Sequence, residues 1–130
     1  MNSPERRASE AYDLIQTFDD PGGPDLGRKH LPLLRKALGR LSLDGMIVPH
    51  EDEWQNEYVP PAFDRLAWLT GFTGAAGAAI VLPEEAAIFT DGRYTIQVRQ
   101  QVSPTEWSYQ SVPETSISKW LKEKAPAGAK

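Results

Sequence analysis

Cysteine is absent from the 130 residues, and histidine is limited to His30 and His50, far apart in the chain. Without cysteine there is neither a disulfide framework nor a thiolate metal site. Two isolated histidines leave the chain poorly stocked for independent hydrolysis, which needs a histidine base or several convergent carboxylates on a rigid frame. No apolar run approaches the roughly 20 residues that span a bilayer. The opening Met1-Asn2-Ser3-Pro4-Glu5-Arg6-Arg7 has no apolar signal core and points away from secretion. Basic residues are outnumbered, 14 against 18 acidic, for a net charge of −4. With no basic stripe, nucleic acid is not the expected partner. These absences predict a soluble, cytoplasmic chain with no membrane or nucleic-acid role.

What is present is ordinary. The hydrophobic fraction is 40%, with 10 glycines besides, enough for the core of one domain. Residues 1–29 are polar and broken by Asp19-Asp20-Pro21-Gly22-Gly23-Pro24-Asp25, which predicts a flexible arm. Its apolar island, Tyr12-Asp13-Leu14-Ile15, is long enough for one helical turn. The domain itself is expected over 30–130.

Leu31, Leu34, Ala37, Leu38 and Leu41 recur at three- and four-residue steps and predict a helix over 30–41, with Arg35, Lys36 and Arg40 on its wet side. Leu43-Asp44-Gly45 ends it. Met46-Ile47-Val48 reads as a short strand stopped by Pro49. Residues 50–62 form a long polar and aromatic connection, and such connections are more often functional than accidental. A short helix follows over 64–69 with Asp64 as its N-cap. Ala78-Ala79-Ile80-Val81-Leu82 and Ala86-Ala87-Ile88-Phe89-Thr90, joined by Pro83-Glu84-Glu85, predict a β-hairpin. Tyr94, Val98 and Val102 share one stripe of a helix over 93–102. Trp107-Ser108-Tyr109 reads as a strand. A last helix over 115–123 turns Ile117, Trp120 and Leu121 inward. The whole is mixed α/β.

Four motifs carry possible chemistry. Gly71-Phe72-Thr73-Gly74-Ala75-Ala76-Gly77 is glycine-rich, yet it precedes a strand rather than a helix and lacks a following Lys-Ser/Thr. It reads as a tight entry to the sheet, not a phosphate loop. His50-Glu51-Asp52-Glu53 reads as a solvated acidic loop, because neighbours in an irregular segment seldom converge on one ion. Trp54 and Tyr58 are expected to pack that loop onto the core. Trp68 and Phe72 are read as building the domain, and the four scattered tryptophans as anchors. Arg93, in Asp91-Gly92-Arg93-Tyr94, stands at a helix N-terminus that favours anions. Either its guanidinium reaches outward to a carboxylate or carbonyl, or it is a surface arginine paired with a nearby acid.

Three segments in order resemble one known family: Glu51-Asp52-Glu53-Trp54-Gln55-Asn56-Glu57-Tyr58-Val59, then Arg65-Leu66-Ala67-Trp68-Leu69-Thr70-Gly71-Phe72-Thr73-Gly74, then Thr90-Asp91-Gly92-Arg93-Tyr94. They are similar to the N-terminal domain of Xaa-Pro aminopeptidases, in the creatinase/prolidase superfamily, over about residues 30–123. The resemblance implies a mixed sheet flanked by helices, preceding a catalytic domain absent from this chain. That domain holds two divalent ions, typically manganese, and cleaves the bond before proline. The resemblance also implies oligomer contacts and a peptide-binding arginine, here Arg93, with no catalytic or metal residue in this chain. A rival reading is a stand-alone interaction module. The family usually has histidine where Trp54 stands, serine where Ala75 stands, and often arginine at Leu66. Pro126-Ala127-Gly128-Ala129-Lys130 falls where the family continues, so the domain is expected to be cut short at its C-terminus.

Overall fold

The computed structural model describes residues 22–56 and 58–130. In order these form α1 (Pro24–Arg40), β1 (Met46–Pro49), a 3₁₀ turn (Pro61–Phe63), α2 (Arg65–Thr70), β2 (Ala78–Val81) and β3 (Ala86–Thr90). A second 3₁₀ turn (Gly92–Tyr94), α3 (Thr95–Gln101), β4 (Ser108–Ser111) and α4 (Ile117–Lys124) complete them.

The strands make one sheet in the order β1-β2-β3-β4. β1 pairs antiparallel with β2, with Ile47 opposite Ile80, and β2 antiparallel with β3, with Ile80 opposite Ala87. β4 lies parallel to β3, Ile88 opposite Tyr109, and α3 supplies the crossover that parallel neighbours require. Successive side chains of a strand point to opposite faces. Ala79, Val81 and Ile88 therefore join Leu31, Leu38, Leu66, Leu69, Phe72, Val98, Val102 and Trp107 in one core. Ile80, Ala87 and Phe89 face the other way, onto Trp120 of α4 with Ile117 and Leu121 beside it. Burial on both faces explains why β2 and β3 are continuous apolar runs rather than alternating ones. The expected mixed sheet flanked by helices is what forms.

Several boundaries differ from expectation, most clearly the two ends of α1. α1 begins at Pro24, not at residue 30, so the last part of the presumed arm is helix. Proline is well placed in a helix's first turn, where its missing N–H has no partner to lose. The start is pinned by tertiary contacts: the Gly23 N–H donates to the Gly71 carbonyl at 3.0 Å. Gly27 lets α1 approach Trp107, since a Cβ there would lie 2.9 Å from the indole nitrogen. Residues 1–21, with the Tyr12-Asp13-Leu14-Ile15 island, lie outside the described residues. At the far end, Leu41 caps α1 instead of extending its apolar face and is 68% exposed. Asp64 caps α2 as expected, its Oδ1 accepting the Ala67 N–H. Trp107 precedes β4 by one residue and is buried.

Candidate functional site

The site lies where β3 ends. Asp91 is extended at the N-cap of the 3₁₀ turn, and its Oδ1 accepts the Arg93 N–H at 3.0 Å, the local bond that makes aspartate a turn former. The Arg93 side chain folds back on the same carboxylate. Nε donates to Oδ1 at 3.0 Å and Nη2 to Oδ2 at 2.8 Å, a two-point fork. Those bonds hold the Asp91 carboxyl down to about 2. Arg93 nevertheless remains 70% exposed along its side chain.

Below the guanidinium lies the Tyr94 ring, 5.1 Å from Cζ to centroid. Tyr94 stands edge-on to Phe72 at 5.5 Å, and Phe72 is sealed in the core. Phe72 is fixed in turn by Thr70, whose hydroxyl accepts the Phe72 N–H at 3.0 Å and donates to the Leu66 carbonyl at 2.8 Å. Thr73 is tied to α3: its N–H donates to Gln101 Oε1 at 3.0 Å, and Gln101 Nε2 donates to its hydroxyl at 2.8 Å. Gly71 caps α2 in the left-handed conformation, φ 86°. A side chain there would collide with the carbonyl oxygen of Gly23. The glycine segment is the tight entry that its position before a strand predicts. An unbroken series of contacts thus runs from the core through Phe72 and Tyr94 to Arg93.

The acidic loop departs from its reading. Glu51 is exposed, but His50 and Asp52 are buried. Asp52 accepts the backbone N–H groups of Trp54 and Asn56, both at 3.0 Å, and the Asn56 side-chain amide at 3.1 Å. The Asn56 backbone bond is the main influence holding its carboxyl below the usual range. The Asp52-Glu53-Trp54-Gln55-Asn56 spacing carries this turn signal, which a reading by charge overlooks. Trp54 and Tyr58 do not pack on the core: they are 68% and 87% exposed. Trp54 meets the half-exposed Phe63 edge-on at 5.9 Å, and Arg65 lies over that same ring while pairing with Glu53. Trp68 is also half-exposed and stacks on His30 with ring centroids 4.0 Å apart. Leu66 is fully buried, so a family arginine has no room in this packing.

The donor chemistry does not fit a metal pair. His30 is stacked on Trp68 with Nδ1 against the Trp68 carbonyl. Among the described residues no group of three or more His, Cys, Asp or Glu converges to hold an ion.

A mixed four-stranded sheet with helices on both faces matches the N-terminal module of the creatinase and prolidase class. The chain belongs to the creatinase/prolidase N-terminal domain family, whose model matches residues 31–130. Among curated relatives it is 38% identical over 100 residues to Xaa-Pro aminopeptidase 2 of Homo sapiens, covering 77% of this chain and 15% of that protein. It is 35% identical over 137 residues to a probable Xaa-Pro aminopeptidase P of Arthroderma otae, covering 98% of this chain and 22% of that protein. The solved X-prolyl aminopeptidase of Caenorhabditis elegans, described as a cytosolic enzyme with a di-nuclear active site, superposes with a TM-score of 0.64 at 27% identity. That match covers 67% of this chain and 15% of the enzyme. The chain spans less than a quarter of these relatives' lengths. Among the described residues, no helix is long and apolar enough to cross a membrane.

Proposed function

We propose that this chain serves as the non-catalytic N-terminal portion of an Xaa-Pro aminopeptidase, with Arg93 holding the main chain of a peptide that has proline second. The observation that carries this reading is the anchoring of Arg93: the guanidinium is clamped by Asp91, backed by Tyr94 and still largely exposed. A surface arginine with only a structural task does not need a series of contacts back to Phe72. The hydrolytic step, with the two divalent ions and the manganese preference that the resemblance implies, belongs to residues other than those described. A cytoplasmic location is part of the same proposal.

The test is direct. The full chain supplied with manganese should release no N-terminal residue from Ala-Pro-Leu. It should bind that peptide as its C-terminal amide, with backbone NMR shifts centred on residues 90–94. Cleavage by the pure chain, or shifts confined to other residues, would sink the reading.

One observation favours a second reading, a homo-oligomeric or stand-alone interaction module. β1 is an edge strand with Met46 and Ile47 exposed beside a cavity of about 490 Å³. Unprotected apolar edges pair with other strands. Sedimentation as a monomer at high concentration would dismiss it.

A further inference from the structure

β1 stands at the edge of the sheet, and among the described residues no strand lies beyond it. His50 donates its N–H to the Gly77 carbonyl at 2.9 Å, and the antiparallel register then gives Val48 and Met46 the inward bonds to β2. Alternation turns the N–H and C=O of Ile47 outward, with the Pro49 carbonyl beside them. Pro49 has no N–H to offer there, which is where an edge strand tolerates proline. The Gly45 N–H is already given to the Lys130 carbonyl at 3.3 Å.

A cavity flanks this edge on each face of the sheet. Ile47 shares a face with Ile80, which packs on α4, and a cavity of about 490 Å³ on that side is walled by Ile47, Ile80, Leu82, Leu121 and Ala125. Val48 turns to the opposite face. There a cavity of about 390 Å³ is walled by Val48 with Glu51, Asp52, Glu53 and Arg65. Three carboxylates against one guanidinium make this second cavity acidic. A strand laid along β1 sends successive side chains alternately toward the apolar cavity and the acidic one.

We infer that the edge of β1 takes an extended segment of a partner protein as an added antiparallel strand, with an apolar side chain opposite Ile47 and lysine or arginine at the adjoining positions. This rests on the reading of the chain as an interaction module and adds the chemistry of its partner. A second copy of this chain fits the edge less well. Antiparallel self-pairing centred on Ile47 sets Gly45 of one copy opposite Pro49 of the other, the first with its N–H engaged and the second with none. It also brings Asp44 of one copy alongside Glu51 of the other, and like charges so placed repel. A foreign strand supplies its own N–H to the Pro49 carbonyl, and its basic side chains meet the acids.

The experiment titrates the full ¹⁵N-labelled chain with acetyl-Thr-Lys-Leu-Lys-Thr amide, whose leucine faces the apolar cavity and whose lysines face the acidic one. Amide shifts should centre on residues 45–49, and the Ile47 N–H should become protected from exchange. The same peptide with glutamates for lysines should bind about fivefold more weakly. Salt at about 0.5 M should narrow that gap to about twofold. N-methylation of the leucine, which removes the N–H given to Ile47, should weaken binding about tenfold. Glu51→Lys, at an exposed position, should reverse the preference between the two charged peptides. Equal binding of the N-methyl peptide excludes strand addition, and equal binding of the two charged peptides at low salt excludes the acidic cavity; either result overturns the inference. If the chain alone sediments as a dimer and its Ile47 resonance shifts with concentration, the edge belongs to a second copy: the interaction-module reading stands and this inference falls. A monomer that no peptide shifts at residues 45–49 overturns both.

Discussion

In the stretch 50–63, Trp54 and Tyr58 project into solvent, Trp54 standing edge-on to the half-exposed Phe63. In the stretch 71–94, Phe72 is buried, Tyr94 stands against it, and Arg93 rests on Tyr94. Each stretch holds an acid in a charged pair, Glu53 with Arg65 just beyond the first and Asp91 with Arg93 within the second. The difference lies in what stands behind the charge. Arg93 is backed by aromatic contacts that continue into the core, whereas Arg65 lies over a half-exposed ring. An ion pair on an exposed surface contributes little by itself. A pair whose aromatic support is locked by packing is preorganised, and a binding residue benefits from that.

The comparison can be broken most severely at Phe72. Phe72→Ala removes the ring on which Tyr94 leans and leaves a core cavity, so chemical denaturation should show a loss of about 3–5 kcal/mol. A loss under about 1 kcal/mol would mean that the anchoring contacts do not matter. Next comes Gly71→Ala, which forces a side chain into a left-handed position against the Gly23 carbonyl. It should cost about 2 kcal/mol or more and loosen the start of α1, seen as faster amide exchange at residues 23–26. Trp54→Ala, on the unanchored side, should change stability by no more than about 0.5 kcal/mol; a large loss would place Trp54 in the core after all.

The smallest effect concerns pH. A carboxyl whose folded pKa is depressed adds stability above its unfolded value, and that stability is lost as pH falls through the folded one. For Asp91 the window runs from 3.8 down to about 2. The Asp91 side-chain carbon resonance should therefore titrate near 2 in the natural chain. Arg93→Ala should return the midpoint toward 3.8, the ordinary value.

Much of this was legible from the residues. The three- and four-residue spacing of Leu31, Leu34 and Leu38 marked α1, and the two apolar runs flanking Pro83-Glu84-Glu85 marked the hairpin. Both are local signals. The start of α1 was not legible, because it depends on a hydrogen bond from Gly23 to Gly71, far along the chain. Residue type likewise misplaced Trp54 and Tyr58: large aromatic rings are usually covered, but which ones are covered depends on the packing of distant elements. At the site, the two-residue spacing of Asp91 and Arg93 already allowed an acid-paired arginine. Its aromatic support depends on the 3₁₀ turn that carries Tyr94 lying against Phe72, distant in the chain.

The most direct measurement compares the two stretches with one ligand. Ala-Pro-Leu amide should be titrated into the natural chain and into its Arg93→Ala and Trp54→Ala variants, with binding read from backbone NMR shifts. The account predicts that Arg93→Ala loses the peptide and that Trp54→Ala keeps it within about twofold, as expected where no contact is removed. Unchanged binding by Arg93→Ala, with binding lost in Trp54→Ala, would contradict it and move the site to the exposed loop.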